Sequence, residues 1–184
     1  MWLENERLLL HTLEDEDFER LMEMRQNPQN YRYVPTYLPE LLGDPATVVT
    51  RLQNMNLEKD RQCVMGIYEK TNPSYLVGLA EFYDYKFHGK VISIGYRLDE
   101  PFWGRGIGSS AVARMLQYLD ADGRIELVTA HVLPANTGSS KILSKNGFHH
   151  LLRKKEDWGF GEPVEADVYV RSCGPIANHF HLYG

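Results

Sequence analysis

Thiols are scarce in this chain. Its 184 residues include two cysteines, Cys63 and Cys173. Neither belongs to a CxxC pair or a Cys/His cluster, so the chain has no disulfide framework to expect and no metal site. Long hydrophobic runs are missing too: no apolar stretch approaches the ~18–20 residues that a bilayer-spanning helix needs. A membrane partner is therefore not expected. The opening MWLENERLLLH turns acidic early and lacks the basic, apolar and small-residue layout of a secretion signal, which makes a cytoplasmic location the default. Excess positive charge is also absent. Net charge is −5, and the basic run Arg153 to Lys155 is followed at once by Glu156 and Asp157. That distribution argues against nucleic acid as a partner. Without repeats or a linker, residues 1–172 read as one domain and residues 173–184 as a tail with no interpretable pattern.

What is present is strong periodicity. ERLLLHTL reads as a strand, and Asp15 to Gln26 as a helix ending before Pro28. Asp44 and Pro45 have the N-cap and first-turn residue types for a helix running to Asn56. QCVMGIYE, SYLVGLAEFYDY and KVISIGYRL, divided by TNPS and FHGK, predict an antiparallel meander. Next comes a helix whose apolar residues Ile107, Ala111, Val112, Met115, Leu116 and Leu119 share one face. The strand RIELVTAHV follows, then a helix from Asn136 to Asn146 stopped by Gly147, then closing strands near His149–Glu156 and Ala166–Ser172. The order β-α-α-β-β-β-α-β-α-β-β predicts an α+β fold with about four helices.

One stretch contradicts its own propensities. PFWGRGIGSSAV puts Gly104, Gly106 and Gly108 at the start of the most regular helix, although each glycine costs a helix roughly 1 kcal/mol relative to alanine. Such a turn between a central strand and a buried helix exposes backbone N–H groups at the positive end of the helix dipole, an arrangement suited to phosphate oxygens. A dinucleotide fingerprint fails at Ser109, and no Gly-Lys-Ser/Thr follows for a P-loop. A tight strand-to-helix turn with no ligand is the competing reading.

The run from Trp103 to Gly108 resembles motif A of the GCN5-related N-acetyltransferases, with Trp103 at the place of Arg or Gln and with Gly106 and Gly108 at the glycine places. Within GYRLDEPFWGRGIG it is similar to the branch that acetylates ribosomal-protein N-termini. Asn136 to Ser139, followed by Ile142 to Phe148, is similar in spacing to that family's second block, apart from small shifts in the apolar positions. The resemblance runs from about Glu6 to Tyr169. It implies a mixed, twisted sheet of about 6–7 strands, with the strands VISIGYRL and ELVTAHV splayed around acetyl-CoA as cosubstrate. Backbone groups near Leu98 would hold the pantetheine arm. The N–H groups of Arg105, Gly106, Ile107, Gly108 and Ser109 would hold the pyrophosphate, and Trp103 and Gly104 complete the cofactor-binding stretch, with Gly104 allowing the turn, Gly106 admitting the phosphates and Gly108 keeping the first helical turn clear. Asn136 would serve both as N-cap and as a cofactor ligand.

The resemblance further implies direct acetyl transfer to a primary amine, on a protein N-terminus or a small molecule, by a monomer or homodimer. That chemistry needs a proton acceptor for the amine and a donor to the departing thiolate. Many relatives carry a tyrosine acid where this chain has Leu143, which leaves Ser139 as the best remaining candidate donor, beside the reading of a first-turn serine that stabilises its own backbone. Many also carry a glutamate where this chain has Ser93, which leaves Glu81 as first candidate for the acceptor and His131 and Glu156 as others. Tyr83, Tyr85 and Tyr96 are candidates to line an acceptor pocket. The two departures also admit a catalytically weak acyl-CoA-binding module, and the acceptor class leaves room for a polyamine or antibiotic acetyltransferase.

Overall fold

The computed structural model describes residues 1–33, 45–159 and 161–174. Its strands are β1 (Trp2–Glu4), β2 (Leu8–His11), β3 (Cys63–Glu69), β4 (Asn72–Lys86), β5 (Val91–Leu98), β6 (Leu127–Val132), β7 (His149–Glu156) and β8 (Val164–Ser172). Its helices are α1 (Asp17–Gln26), α2 (Pro45–Gln53), α3 (Leu57–Asp60), α4 (Ile107–Asp122) and α5 (Thr137–Lys145). The strands form one mixed sheet in the order β1-β2-β3-β4-β5-β6-β8-β7. Eight strands exceed the six or seven expected. Trp2–Glu4, too short to show alternation, adds an edge by burying Leu3.

Alternation along the central strands divides the core into two layers. Cys63, Met65, Ile67, Phe82, Ile92 and Ile94 face α4 and its buried stripe, while Val64, Tyr68, Leu76 and Leu79 face α1 and α2. All six apolar residues assigned to the inner face of α4 are at most 4% exposed. The meander β3-β4-β5 is antiparallel as predicted. Its first turn is shorter than TNPS suggested, because Lys70 and Thr71 turn the chain and Pro73 falls where the β3–β4 register slips. Proline, with no N–H to give, is tolerated at such an irregularity. The second predicted helix also divides: α2 stops at Gln53, and Asn56 instead caps α3 by accepting the N–H groups of Glu58 and Lys59. Asp44 lies outside the described residues.

The feature that creates the site is the parting of β5 and β6. These parallel strands pair only over Val91–Ser93 and Leu127–Thr129, the last link reinforced by Ser93 Oγ and Thr129 Oγ1 at 2.7 Å. Beyond it β5 continues against β4 as far as Leu98, and β6 against β8 as far as Val132.

Asp99 locks the end of β5 to the opposite layer. It is buried, pairs with the Arg20 guanidinium of α1 and accepts from Asn30 Nδ2 at 2.7 Å. Replacing it with Asn removes the buried charge partner of a largely buried guanidinium and leaves only the exposed Glu23 carboxylate to pair with Arg20. Urea denaturation should show Asp99→Asn destabilised by about 2 kcal/mol.

Candidate active site

The glycine turn begins where β5 ends. Gly104 and Gly106 adopt φ of +72° and +78°, left-handed values that cost an L-residue roughly 1–2 kcal/mol. Gly106 is the N-cap of α4 and offers no side chain to cap it. The helical ladder starts with Ser110 N–H on the Gly106 carbonyl at 3.1 Å, so the N–H groups of Ile107, Gly108 and Ser109 precede it. Gly108 lines the first cleft and also eases a packing contact. A Cβ there would meet Ile142 Cδ1 at 3.0 Å and Tyr96 at 3.6 Å, so this glycine lets α4 approach α5 closely. Trp103 turns its indole back, donating Nε1–H to the Leu98 carbonyl at 2.8 Å.

Asn136 caps α5 by accepting the Ser139 N–H at 3.1 Å, and Gly147 ends that helix at φ +83°. Asn146 Nδ2 reaches Ser109 Oγ at 3.2 Å, tying the end of α5 to the start of α4. Between the two helix starts lies a cleft of about 570 Å³, bounded by Leu98, Phe102, Trp103, the glycine turn, Asn136 to Ser139 and Lys141, Ile142 and Lys145. Open N–H groups, an uncapped helix end, two lysines and an apolar floor fit an extended molecule with a phosphate group and a thiol-bearing arm.

A second cleft of about 840 Å³ opens on the other side of the splay, with Tyr33, Arg51, Leu52 and Met55 on one wall and His131, Glu156 and Trp158 on the other. Tyr33, Tyr96, Arg97, Asn136 and Ser139 border both clefts. At this junction the Tyr96 hydroxyl and Ser139 Oγ are 2.8 Å apart. Burial pushes the Tyr96 phenol up to about 12, so it stays protonated, and able to donate, throughout the neutral range.

Glu81 lies in the second cleft. Its side chain covers Gly95, where a Cβ would come within 2.4 Å of its Oε1, and it reaches Arg97 Nη2 at 3.0 Å. Burial pushes this carboxyl up to about 7. Across the cleft Glu156 is held in the opposite state. Although burial opposes it, hydrogen bonds from Trp158 and Lys154 and the nearby His131 keep Glu156 below the usual carboxylate range. His131 Nδ1 is 2.7 Å from Glu156 Oε1.

The sequence-predicted residues thus divide. Leu98, Trp103, Gly104, Gly106, Ile107, Gly108, Ser109, Asn136 and Ser139 gather around the first cleft, and Glu81 lines the second. Arg105 is turned away from both, its guanidinium on Glu69 and over the Phe102 ring. Tyr83 and Tyr96 line the second cleft, whereas Tyr85 is packed in the core against Phe87. The Tyr96–Ser139, Glu81–Arg97 and His131–Glu156 pairings are contacts between distant segments. Only the strand alternation Ser93, Gly95, Arg97 hinted at the second of them.

A family model described as an acetyltransferase (GNAT) domain matches residues 7–149, more than half of the chain. The chain belongs to the GNAT acetyltransferase family. This GNAT chain is accordingly an acetyltransferase that uses acetyl-CoA. It is 26% identical over 172 residues to the uncharacterized N-acetyltransferase p20 of Bacillus licheniformis, covering 92% of this chain and 94% of that protein. It is 31% identical over 93 residues to the probable N-acetyltransferase YjcK of Bacillus subtilis (strain 168), a match spanning 50% of this chain and 51% of YjcK. Among solved structures, RimL, a ribosomal L7/L12 alpha-N-protein acetyltransferase in complex with coenzyme A, superposes with a TM-score of 0.78. Identity there is 18%, over 94% of this chain and 98% of RimL. Spermidine N-acetyltransferase from Vibrio cholerae, in complex with CoA and spermine, superposes at 0.73 and 16% identity, over 92% and 97%. At these identities the structures share the fold with this GNAT chain. Among the described residues no helix is long and apolar enough to cross a membrane.

Proposed function

We propose that this chain transfers the acetyl group of acetyl-CoA directly to a primary amine, with the N-terminal amine of a polypeptide as the preferred acceptor. The observation that carries this reading is the meeting of two clefts at Tyr96, Asn136 and Ser139. One cleft suits a thioester with a phosphate-bearing tail, the other a separate acceptor, and the reacting atoms meet between them. Acetyl-CoA supplies an activated carbonyl and a thiolate leaving group. The N–H groups of Gly106 to Ser109 receive its pyrophosphate, and Ser139 donates to the sulfur with Tyr96 behind it. Glu81 takes the amine proton, directly or through water. Neither cysteine lines a cleft, and burial pushes the thiols of Cys63 and Cys173 up to about 11 and about 12. Neither thiol is therefore available as a thiolate nucleophile.

The charge of the second cleft favours a peptide end over a polycation. Glu81, Asp84, Glu156 and Asp157 are matched by Arg51, Arg97, Lys154 and Lys155, whereas a polyamine site calls for a net negative lining. Thiol release from acetyl-CoA, measured with a panel of N-terminal peptides and polyamines, tests the assignment. Turnover with peptides above polyamines is the expected result. Faster turnover with polyamines would reverse the acceptor class, and saturable acetyl-CoA binding with no turnover would favour a binding module. The cosubstrate site has its own test. Gly106→Ala strains the turn and should weaken CoA about 10-fold in isothermal titration, while unchanged affinity would refute the anion site.

A further inference from the structure

We infer that Arg7, outside the glycine motif and outside both clefts, presets the pyrophosphate turn from behind. Arg7 directly precedes β2. Its Nη1–H donates to the Arg105 carbonyl at 2.7 Å. The other side of the same guanidinium is held by Glu69 Oε1, at 2.9 Å from Nη2 and 3.3 Å from Nε. Glu69 Oε2 in turn accepts from Arg105 Nη2 at 3.1 Å. One carboxylate on β3 thus fixes two arginines, and one of these fixes a carbonyl of the turn.

The consequence follows from peptide geometry. No cis peptide occurs among the described residues, and in a trans peptide the C=O and the following N–H point in opposite directions. Holding the Arg105 carbonyl toward Arg7 therefore aims the Gly106 N–H away from Arg7, toward the first cleft that Gly106 lines. Nearby, Asn5 secures the other end of the turn, its Nδ2 donating to Ser110 Oγ at 3.0 Å and to the Ser110 carbonyl at 3.2 Å. A glycine turn left to itself samples many conformations. This brace removes that freedom before the cosubstrate arrives, so less ordering accompanies binding. Arg7 is a positioning residue: it acts on the anion through the Gly106 peptide and does not touch it.

This inference rests on assigning the pyrophosphate to the glycine turn, and the experiment separates the two. Arg7→Met keeps the aliphatic stem of a 41%-exposed side chain and removes the donor without opening the core. Binding is measured with CoA, 3′-dephospho-CoA and pantetheine, at low salt and at about 0.5 M salt. Arg7→Met should weaken CoA and 3′-dephospho-CoA about 5- to 10-fold at both salt concentrations and leave pantetheine, which lacks the pyrophosphate, unchanged. Equal weakening of all three ligands, or of none, would overturn the inference. A loss that disappears at high salt would also overturn it, since that is the mark of a screened charge effect. If Gly106→Ala weakens CoA while Arg7→Met does not, the turn assignment stands and the role of Arg7 falls. If neither variant changes CoA affinity, both fall.

Discussion

Glu81→Gln should lower kcat with an amine acceptor by roughly 10²- to 10⁴-fold, the range for losing a general base, with CoA affinity unchanged. Glutamine fits the same volume above Gly95 and can still accept from Arg97 Nη2, now 3.0 Å from the carboxylate. The substitution removes the proton-accepting capacity and, with it, a charge partner of the buried Arg97 guanidinium, so the stability of Glu81→Gln in urea is measured beside its kcat. Burial that pushes this carboxyl up to about 7 makes it a stronger base than an exposed glutamate and still leaves it ionised for part of the time at neutral pH. The sign of the pH dependence follows. Below about 7 the carboxyl is mostly protonated, so kcat at saturating acceptor should rise about tenfold per pH unit toward 7 and flatten above it, and Glu81→Gln should abolish that limb.

The His131–Glu156 pair is the competing base. Glu156 is held ionised and already accepts from His131, Lys154 and Trp158, so it orients the imidazole and is itself a poor acceptor for another proton. His131→Gln separates the two. If the ascending limb persists in His131→Gln and vanishes in Glu81→Gln, Glu81 is the base. The reverse outcome would transfer the role to the histidine.

The fold was legible wherever periodicity and punctuation agree. The α4 stripe, the meander, the Asn136 cap and the Gly147 stop are local signals, and each appears in the structure. What failed was local in another way. Trp2–Glu4 is too short to alternate, and α2 and α3 share one helix-forming stretch whose division depends on the Asn56 cap. At the site, the glycine turn could be read as an anion cradle because its backbone chemistry is contained in six consecutive residues. The uses of individual glycines could not. Gly108 gives room to Ile142, whose Cδ1 approaches it closely from α5. The neighbour of Ser139 was hidden for the same reason: Tyr96 is 43 residues away in sequence, and a tyrosine in a strand looks like packing.

Ser139→Ala should reduce kcat roughly 10²-fold, Tyr96→Phe about 10-fold, and the double variant should be no slower than Ser139→Ala. By the resemblance, many relatives place a tyrosine where this chain has Leu143, and the proposed mechanism meets the thiolate with Ser139 instead. Ser139 lies in the first turn of α5 at the border of both clefts, and the partly buried phenol of Tyr96 is 2.8 Å from its hydroxyl. If the phenol donates to Ser139 Oγ, the serine proton is directed at the sulfur and the developing charge is shared along the pair. Two donors in series are non-additive: once the serine is gone, the phenol has nothing to act through. Two donors striking the sulfur independently would instead multiply, giving a double variant near 10³-fold slower. The measurement is single-turnover kcat for the four proteins, which forms a double-mutant cycle. Coupling close to the whole Tyr96→Phe effect supports the series arrangement, and simple multiplication excludes it. A change in CoA affinity that matches the loss in kcat would reassign both hydroxyls to binding.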